Sequence, residues 1–173
     1  MAEARQFGQL IHIEAESIGQ PGQRRFRLRT MNEQGETAAL WLEKEQLSAL
    51  GDAIETALRA EEYEYQRTPL DDVGQPPVMP LDAHVELQLA QLSMGLDRDS
   101  RLVVLIAADG PDEDEDTVTL TMSFDYRRSY ELRRQIVEVV AAGRRPCPLC
   151  TAPSFKSSRP PPIPASVEPR PRR

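Results

Sequence analysis

Cysteine is almost absent from this sequence, which contains two cysteines among 173 residues. Two cysteines with only two residues between them cannot form the disulfide framework of a small secreted protein, so metal or redox chemistry explains them better. No run of apolar residues approaches the roughly 18 to 20 that a membrane-spanning helix needs. The first residues also lack the basic and apolar segments of a signal peptide. We therefore expect a cytoplasmic protein with no membrane partner.

Histidines and catalytic motifs are equally scarce. The two histidines, His12 and His84, both fall in expected strands, and the sequence has no G-x-S-x-G, Walker, H-E-x-x-H or dinucleotide-binding motif. A nucleophile and its base are hard to assemble from this set. Aromatic residues make up 5% of the chain, so the stacking platforms of single-strand nucleic-acid binders are not evident. These absences favour a binding protein over an enzyme.

The charges that are present are distributed unevenly. Residues 1–125 carry 25 acidic and 10 basic side chains, a net charge of −15, whereas residues 126–173 carry 3 acidic and 11 basic ones, a net charge of +8. A basic end on an acidic body can attract nucleic acid or an acidic partner, and it can equally fold back on its own body. The composition leaves both interpretations open.

The hydrophobic pattern of the first part of the chain predicts three strands and a helix. Apolar residues alternate with polar ones from Phe7 to Ser17, from Arg24 to Met31 and from Thr37 to Leu42. The spacing then changes to three and four residues between Glu43 and Glu61, which is typical of an amphipathic helix. Prolines at high density interrupt both patterns in residues 62–82, so this segment is expected to be a linker or long loop.

The second part of the chain repeats this order. Strands are predicted at Val85–Leu89, Leu102–Ala107 and Val118–Phe124, followed by a helix from Tyr126 to Ala142. The pattern predicts an α+β fold in residues 1–143, with an antiparallel sheet covered by helices. It also suggests a tandem βββα-βββα arrangement with half-units 7–61 and 83–142. Any strand followed by an amphipathic helix gives similar matches, so a true duplication stays open.

The C-terminal part of the chain has a different composition. After Gly143, a natural helix stop, residues 144–150 lead into the turn Cys147-Pro148-Leu149-Cys150. Residues 151–173 contain seven prolines and little apolar content. We expect this Pro/Arg-rich tail to be disordered on its own.

Several segments together resemble one known family. They are Gly19–Arg24, Leu42–Gln46, Met94–Leu96 and, most specifically, Val139–Cys150. The chain resembles, roughly from Leu10 to Cys150, the uncharacterised and mainly actinobacterial family catalogued as domain of unknown function 3090. The resemblance implies a zinc knuckle, because members usually add a His and a Cys after the paired cysteines, and they are often encoded near a phosphoglycerate-mutase-like phosphatase. This sequence departs there, since no Cys or His follows Cys150.

The cysteine pair is nevertheless a candidate metal site. A tight Cys-Pro-x-Cys turn directs two thiolates at one ion, but a structural zinc site needs four ligands. Cys147 and Cys150 thus supply a zinc half-site, which a homodimer could complete by sharing the cysteines of both chains. An inert pair and a redox pair are the alternatives, although redox activity is favoured at helix N-termini and these cysteines follow a helix.

Five arginines form a weaker candidate site for anions. Arg25, Arg27 and Arg29 alternate along one predicted strand, and Arg144 and Arg145 precede the cysteine turn. Phosphates favour such patches. A solvated strand face paired with acids on the neighbouring strands would produce the same alternation.

These observations lead to one functional expectation with one alternative. The chain is expected to be a non-enzymatic interaction module, with a partial zinc-binding turn and an unknown protein partner. The alternative is a nucleic-acid-associated protein that uses the basic C-terminal segment.

Overall fold

The computed structural model describes residues 3–20, 22–64, 77–111 and 117–142. This part of the chain folds into seven strands and two helices. In chain order they are β1 (Glu3–Ile18), β2 (Arg25–Asn32), β3 (Thr37–Leu42), α1 (Lys44–Ala60), β4 (Val85–Gln88), β5 (Gln91–Asp97), β6 (Leu102–Ala108), β7 (Val118–Asp125) and α2 (Tyr126–Ala141).

All seven strands belong to one mixed sheet in the order β4-β3-β2-β1-β7-β6-β5. The predicted α+β class is confirmed. The sheet is not wholly antiparallel, because β1 pairs with β7 and β3 pairs with β4 in parallel. Hairpins join the antiparallel strands, whereas each parallel pair joins strands that are separated by at least one helix in the chain, as parallel pairing requires.

The tandem arrangement predicted from the sequence is not confirmed. The second half contains four strands rather than three, because β5 follows β4 directly after Leu89 and Ala90. The prediction missed β5, although Leu92, Met94 and Leu96 alternate there with polar residues and glycine. The first strand of the second three-strand meander is therefore β5, and β4 is an additional strand beside β3.

Strand β1 pairs with two different strands along its length. Its first part, Glu3–Gln9, pairs with β7, and its second part, Leu10–Ile18, pairs with β2. Register shifts on both sides of the change mark β-bulges, and Gly8 adopts a positive φ of 88° there. Because residues other than glycine rarely accept that conformation, Gly8 allows the strand to bend from one partner to the other.

The segment formed by β4 and β5 makes a similar change of partner. The Leu89 N–H donates to the Trp41 carbonyl of β3 at 2.7 Å, and the Ala90 N–H donates to the Ala108 carbonyl of β6 at 2.9 Å. The two end strands of the sheet are therefore joined by two residues. The sheet must curl for this connection to form.

The two helices contribute one apolar face each to the core. Both faces consist of leucine and isoleucine at helical spacing, and their buried members include Leu47, Leu50, Ile54 and Leu58 in α1 and Leu132 and Ile136 in α2. The helices touch closely, since a methyl group added at Gly51 would lie 3.0 Å from Ile136 Cγ2. One continuous core of buried side chains joins the sheet to both helices.

Candidate functional site: a groove beside an open sheet edge

Two adjoining clefts lie between α1 and β5. One has a volume of about 610 Å³ and the other about 490 Å³, and both are lined by Ala53 and Met94. We call the combined feature the α1–β5 groove. Its walls are mainly apolar: Ala49, Leu50, Ala53, Ala57 and Ala60 on the helix, and Leu92, Met94, Gly95 and Leu96 on the strand.

The strand that borders the groove has an unpaired edge. Within the described residues β5 pairs only with β6. Helix α1 donates one side-chain hydrogen bond nearby, from Gln46 Nε2 to the Ala90 carbonyl at 3.3 Å, and Ala90 lies just before β5. No described side chain bonds to the backbone of β5 itself. Among the described residues the outer N–H and C=O groups of β5 therefore have neither a strand nor a side-chain partner, which is the arrangement of an edge strand.

The corresponding edge of β1 is closed by the other helix. Where β1 leaves β7, the Gln135 side chain accepts from the Ala15 N–H at 3.0 Å and Arg128 Nε donates to the Ile11 carbonyl at 2.9 Å. Helix α2 therefore supplies partners to backbone groups that have lost a strand neighbour. The described residues contain no corresponding contacts from α1 to the backbone of β5.

The sequence of β5 lacks the usual protection of an edge strand. Natural edge strands are short, or carry charges, prolines or bulges that prevent pairing with other chains. β5 has seven residues and no charge before Asp97 at its end. The opposite end strand, β4, has only four residues. β5 is therefore the less protected of the two end strands.

Charged residues close one end of the groove. Arg98 Nε donates to Glu61 Oε1 at 2.7 Å, and this hydrogen bond raises the pKa of Arg98. Asp97 accepts from the Ser100 N–H at 3.2 Å, which lowers the pKa of Asp97 and fixes the turn after β5. Both groups are thus held in their charged forms and engaged with neighbours.

One carboxylate in the groove has no such neighbour. Asp52 lies on the exposed side of α1 and lines the larger cleft together with Thr56 and Arg98. Within the described residues Asp52 forms no ion pair, whereas Arg98 Nε is bonded to Glu61. The larger cleft therefore presents a carboxylate without an ion-pair partner beside an arginine that already has one.

The three strand arginines lie on the outer face of the sheet, away from the helices. Arg27 pairs with Glu16 at 2.9 Å, and Arg29 pairs with Glu14 at 3.1 Å and with Glu16 at 3.0 Å. Glu14 and Glu16 are acids on the neighbouring strand, as expected for a solvated strand face, which was the alternative to an anion site. The structure thus places these two arginines among carboxylates. Anion binding by this stripe stays a prediction.

The outer face also holds Trp41, a residue that the sequence analysis did not single out. The Arg25 guanidinium lies 4.3 Å from the centre of the Trp41 ring, and that of Arg27 lies 5.2 Å from it, both within cation–π range. Trp41 Nε1 donates to Glu86. A polar cavity of about 260 Å³ next to this cluster is lined by Arg27, Arg29 and Glu86 among others. The arginines of this stripe are thus engaged by the Trp41 ring and by the carboxylates of Glu14 and Glu16.

The remaining predicted site residues lie elsewhere. Cys147, Cys150, Arg144 and Arg145 are outside the described residues. His12 contacts Glu14 at 3.3 Å and His84 Nδ1 contacts Thr37 Oγ1 at 2.8 Å, so each histidine has a local partner. In the described ranges no three His, Cys, Asp or Glu side chains are grouped to hold a metal.

The zinc half-site thus stays a prediction, and native mass spectrometry tests it. The reduced full-length chain, expressed with zinc, is expected to appear as a dimer with one bound zinc, because two chains together supply four thiolates. Replacing Cys147 and Cys150 by serine should remove both the metal and the dimer. A metal-free monomer of the unmodified chain would contradict the shared site.

The described residues form an α+β domain with a mixed seven-stranded sheet, two helices and a β5 edge that pairs with no other described strand. The model of the family described as "Protein of unknown function (DUF3090)" matches residues 5–158. The chain therefore belongs to the DUF3090 family. A search of curated proteins found no match. None of the helices in the described ranges is long and apolar enough to cross a membrane.

Proposed function

We propose that this protein is a non-enzymatic interaction module that binds an extended peptide segment of another protein in the α1–β5 groove. The segment adds a strand to the free edge of β5, and its alternate side chains enter the apolar space below α1. The observation that carries this proposal is the open β5 edge, which borders clefts of about 610 and 490 Å³.

The chemistry of the groove suits this mode of binding. Strand addition gives affinity through main-chain hydrogen bonds and specificity through pockets for alternate side chains. The side chains of Leu92, Met94 and Leu96 are half-buried and offer apolar contacts to such side chains. A partner strand opposite all seven residues of β5 would span about 23 Å at roughly 3.3 Å per residue.

A random heptapeptide library displayed on phage tests the proposal with the full chain as bait. The unmodified protein is expected to enrich peptides with alternating apolar residues. Ala53→Trp should weaken binding of those peptides at least tenfold, because the indole fills the wall that both clefts share. Binding is measured by fluorescence anisotropy with the synthesised peptides.

The matched control is Val137→Trp, which adds the same ring on α2 at a side chain that is 48% exposed. This variant should bind the peptides like the unmodified protein. Hydrogen exchange should also show new protection of the β5 amides in the complex, since those amides gain partners. Equal binding by the Ala53 and Val137 variants, or no enrichment at all, would overturn the proposal.

A further inference from the structure

From the charges that line the groove we infer that the bound segment carries a lysine or arginine whose cationic head pairs with Asp52. This inference rests on the proposed function, because it specifies the peptide that the α1–β5 groove accepts. It assigns the larger cleft to one basic side chain and the smaller cleft to apolar ones.

The larger cleft offers the two surfaces that a long basic side chain needs. Ala53, Ala57, Met94 and Leu96 supply an apolar wall for the methylene stem. Asp52 stands on the same wall of α1 at the exposed rim. Lysine and arginine bury their stems against apolar surface while the charged head stays near water, and this combination matches such a side chain.

The surrounding charges favour a basic side chain over an acidic one in this cleft. Arg98 is the basic residue that lines the cleft, and Glu61 holds its Nε at 2.7 Å. Asp97 and Asp99 flank Arg98 in the chain. A carboxylate or phosphate on the peptide would have to share Arg98 with Glu61 and would also approach Asp52. A cation meets an acid that has no ion-pair partner among the described residues.

The smaller cleft has a different character. Its polar members are Gln46, Gln91 and Ser93, and none of its lining residues is charged. Leu50 and Leu92 provide the apolar contacts there. A neutral apolar side chain therefore fits this cleft, and a charged one would lose water without gaining a partner.

The heptapeptide selection is repeated on Asp52→Asn, Asp52→Lys and the control Glu45→Gln, which removes another exposed carboxylate of α1 outside the groove. Peptides enriched by the unmodified protein should share one basic position. Asp52→Asn should weaken their binding about fivefold, and Glu45→Gln should leave it unchanged. Asp52→Lys should weaken binding by at least about tenfold and should instead enrich peptides with Asp or Glu at that position.

The outcomes separate this inference from the proposed function. Peptides that are blocked by Ala53→Trp but bind Asp52→Lys as well as the unmodified protein would overturn the assignment of the basic side chain and leave the groove intact. Peptides that are insensitive to Ala53→Trp would overturn both. A switch from basic to acidic peptides in the Asp52→Lys selection would support both.

Discussion

Replacing Phe124 by alanine is expected to lower the free energy of unfolding by about 3–5 kcal/mol. The Phe124 side chain is fully buried near the end of β7, opposite the equally buried Val103 of β6. Truncation removes apolar area from the core and leaves a cavity that the surrounding strands fill only in part. Because Asp125 and α2 follow directly, the same change also weakens the support of that helix.

Urea denaturation followed by circular dichroism measures this effect. The control is Ser123→Ala on the outer face of the same strand, where the side chain is only partly buried. That variant should change the free energy of unfolding by no more than about 0.5 kcal/mol. A loss below about 1 kcal/mol for Phe124→Ala would mean that this part of the core is not packed as described.

Replacing Asn32 by leucine is expected to lower the free energy of unfolding by about 3 kcal/mol, since several buried groups lose their partner together. The Asn32 side chain is 1% exposed at the end of β2. Its Nδ2 donates to the Phe7 carbonyl at 2.9 Å, and its Oδ1 accepts from the N–H groups of Gln34 and Glu36 at 3.1 and 2.8 Å. One amide thus fixes the β2–β3 turn and ties it to β1.

Asn32→Asp tests the donor group alone. The carboxylate keeps the two acceptor bonds but loses the donor to Phe7 and lies next to Glu36, with which Nδ2 bonds at 3.0 Å. A buried carboxylate that faces a carbonyl and a second carboxylate should also lower the free energy of unfolding. Thermal and urea denaturation of both variants measure these losses. Stabilities equal to that of the unmodified protein would show that the amide network does not support the turn.

The sequence pattern was a good guide to elements formed by neighbouring residues. Hairpins and amphipathic helices follow from local periodicity, so β1, β2, β3 and both helices were predicted close to their observed ranges. Parallel pairs could not be predicted in the same way, because the partners lie far apart in the chain. β5 was overlooked because Gly95 and the short apolar alternation gave a weak signal, although the alternation was present.

The candidate site was harder to predict from the sequence than the fold. The alternation of Arg25, Arg27 and Arg29 correctly suggested one strand face, and the register supplied Glu14 and Glu16 as neighbours. The groove depends on how α1 lies beside β5, and these elements come from distant segments. The available signal was a short apolar alternation with one charged residue, and recognising this strand as an edge required the strand order.

The pairing of β1 with two different strands affects how the chain folds during synthesis. Glu3 is paired with Val118 in the finished sheet. During synthesis the first part of β1 therefore leaves the ribosome long before its partner exists, and contacts between such distant residues slow folding. Until β7 emerges, this part of β1 lacks the strand that it pairs with in the native protein. Completion of the sheet is thus a late event that must follow translation of β7.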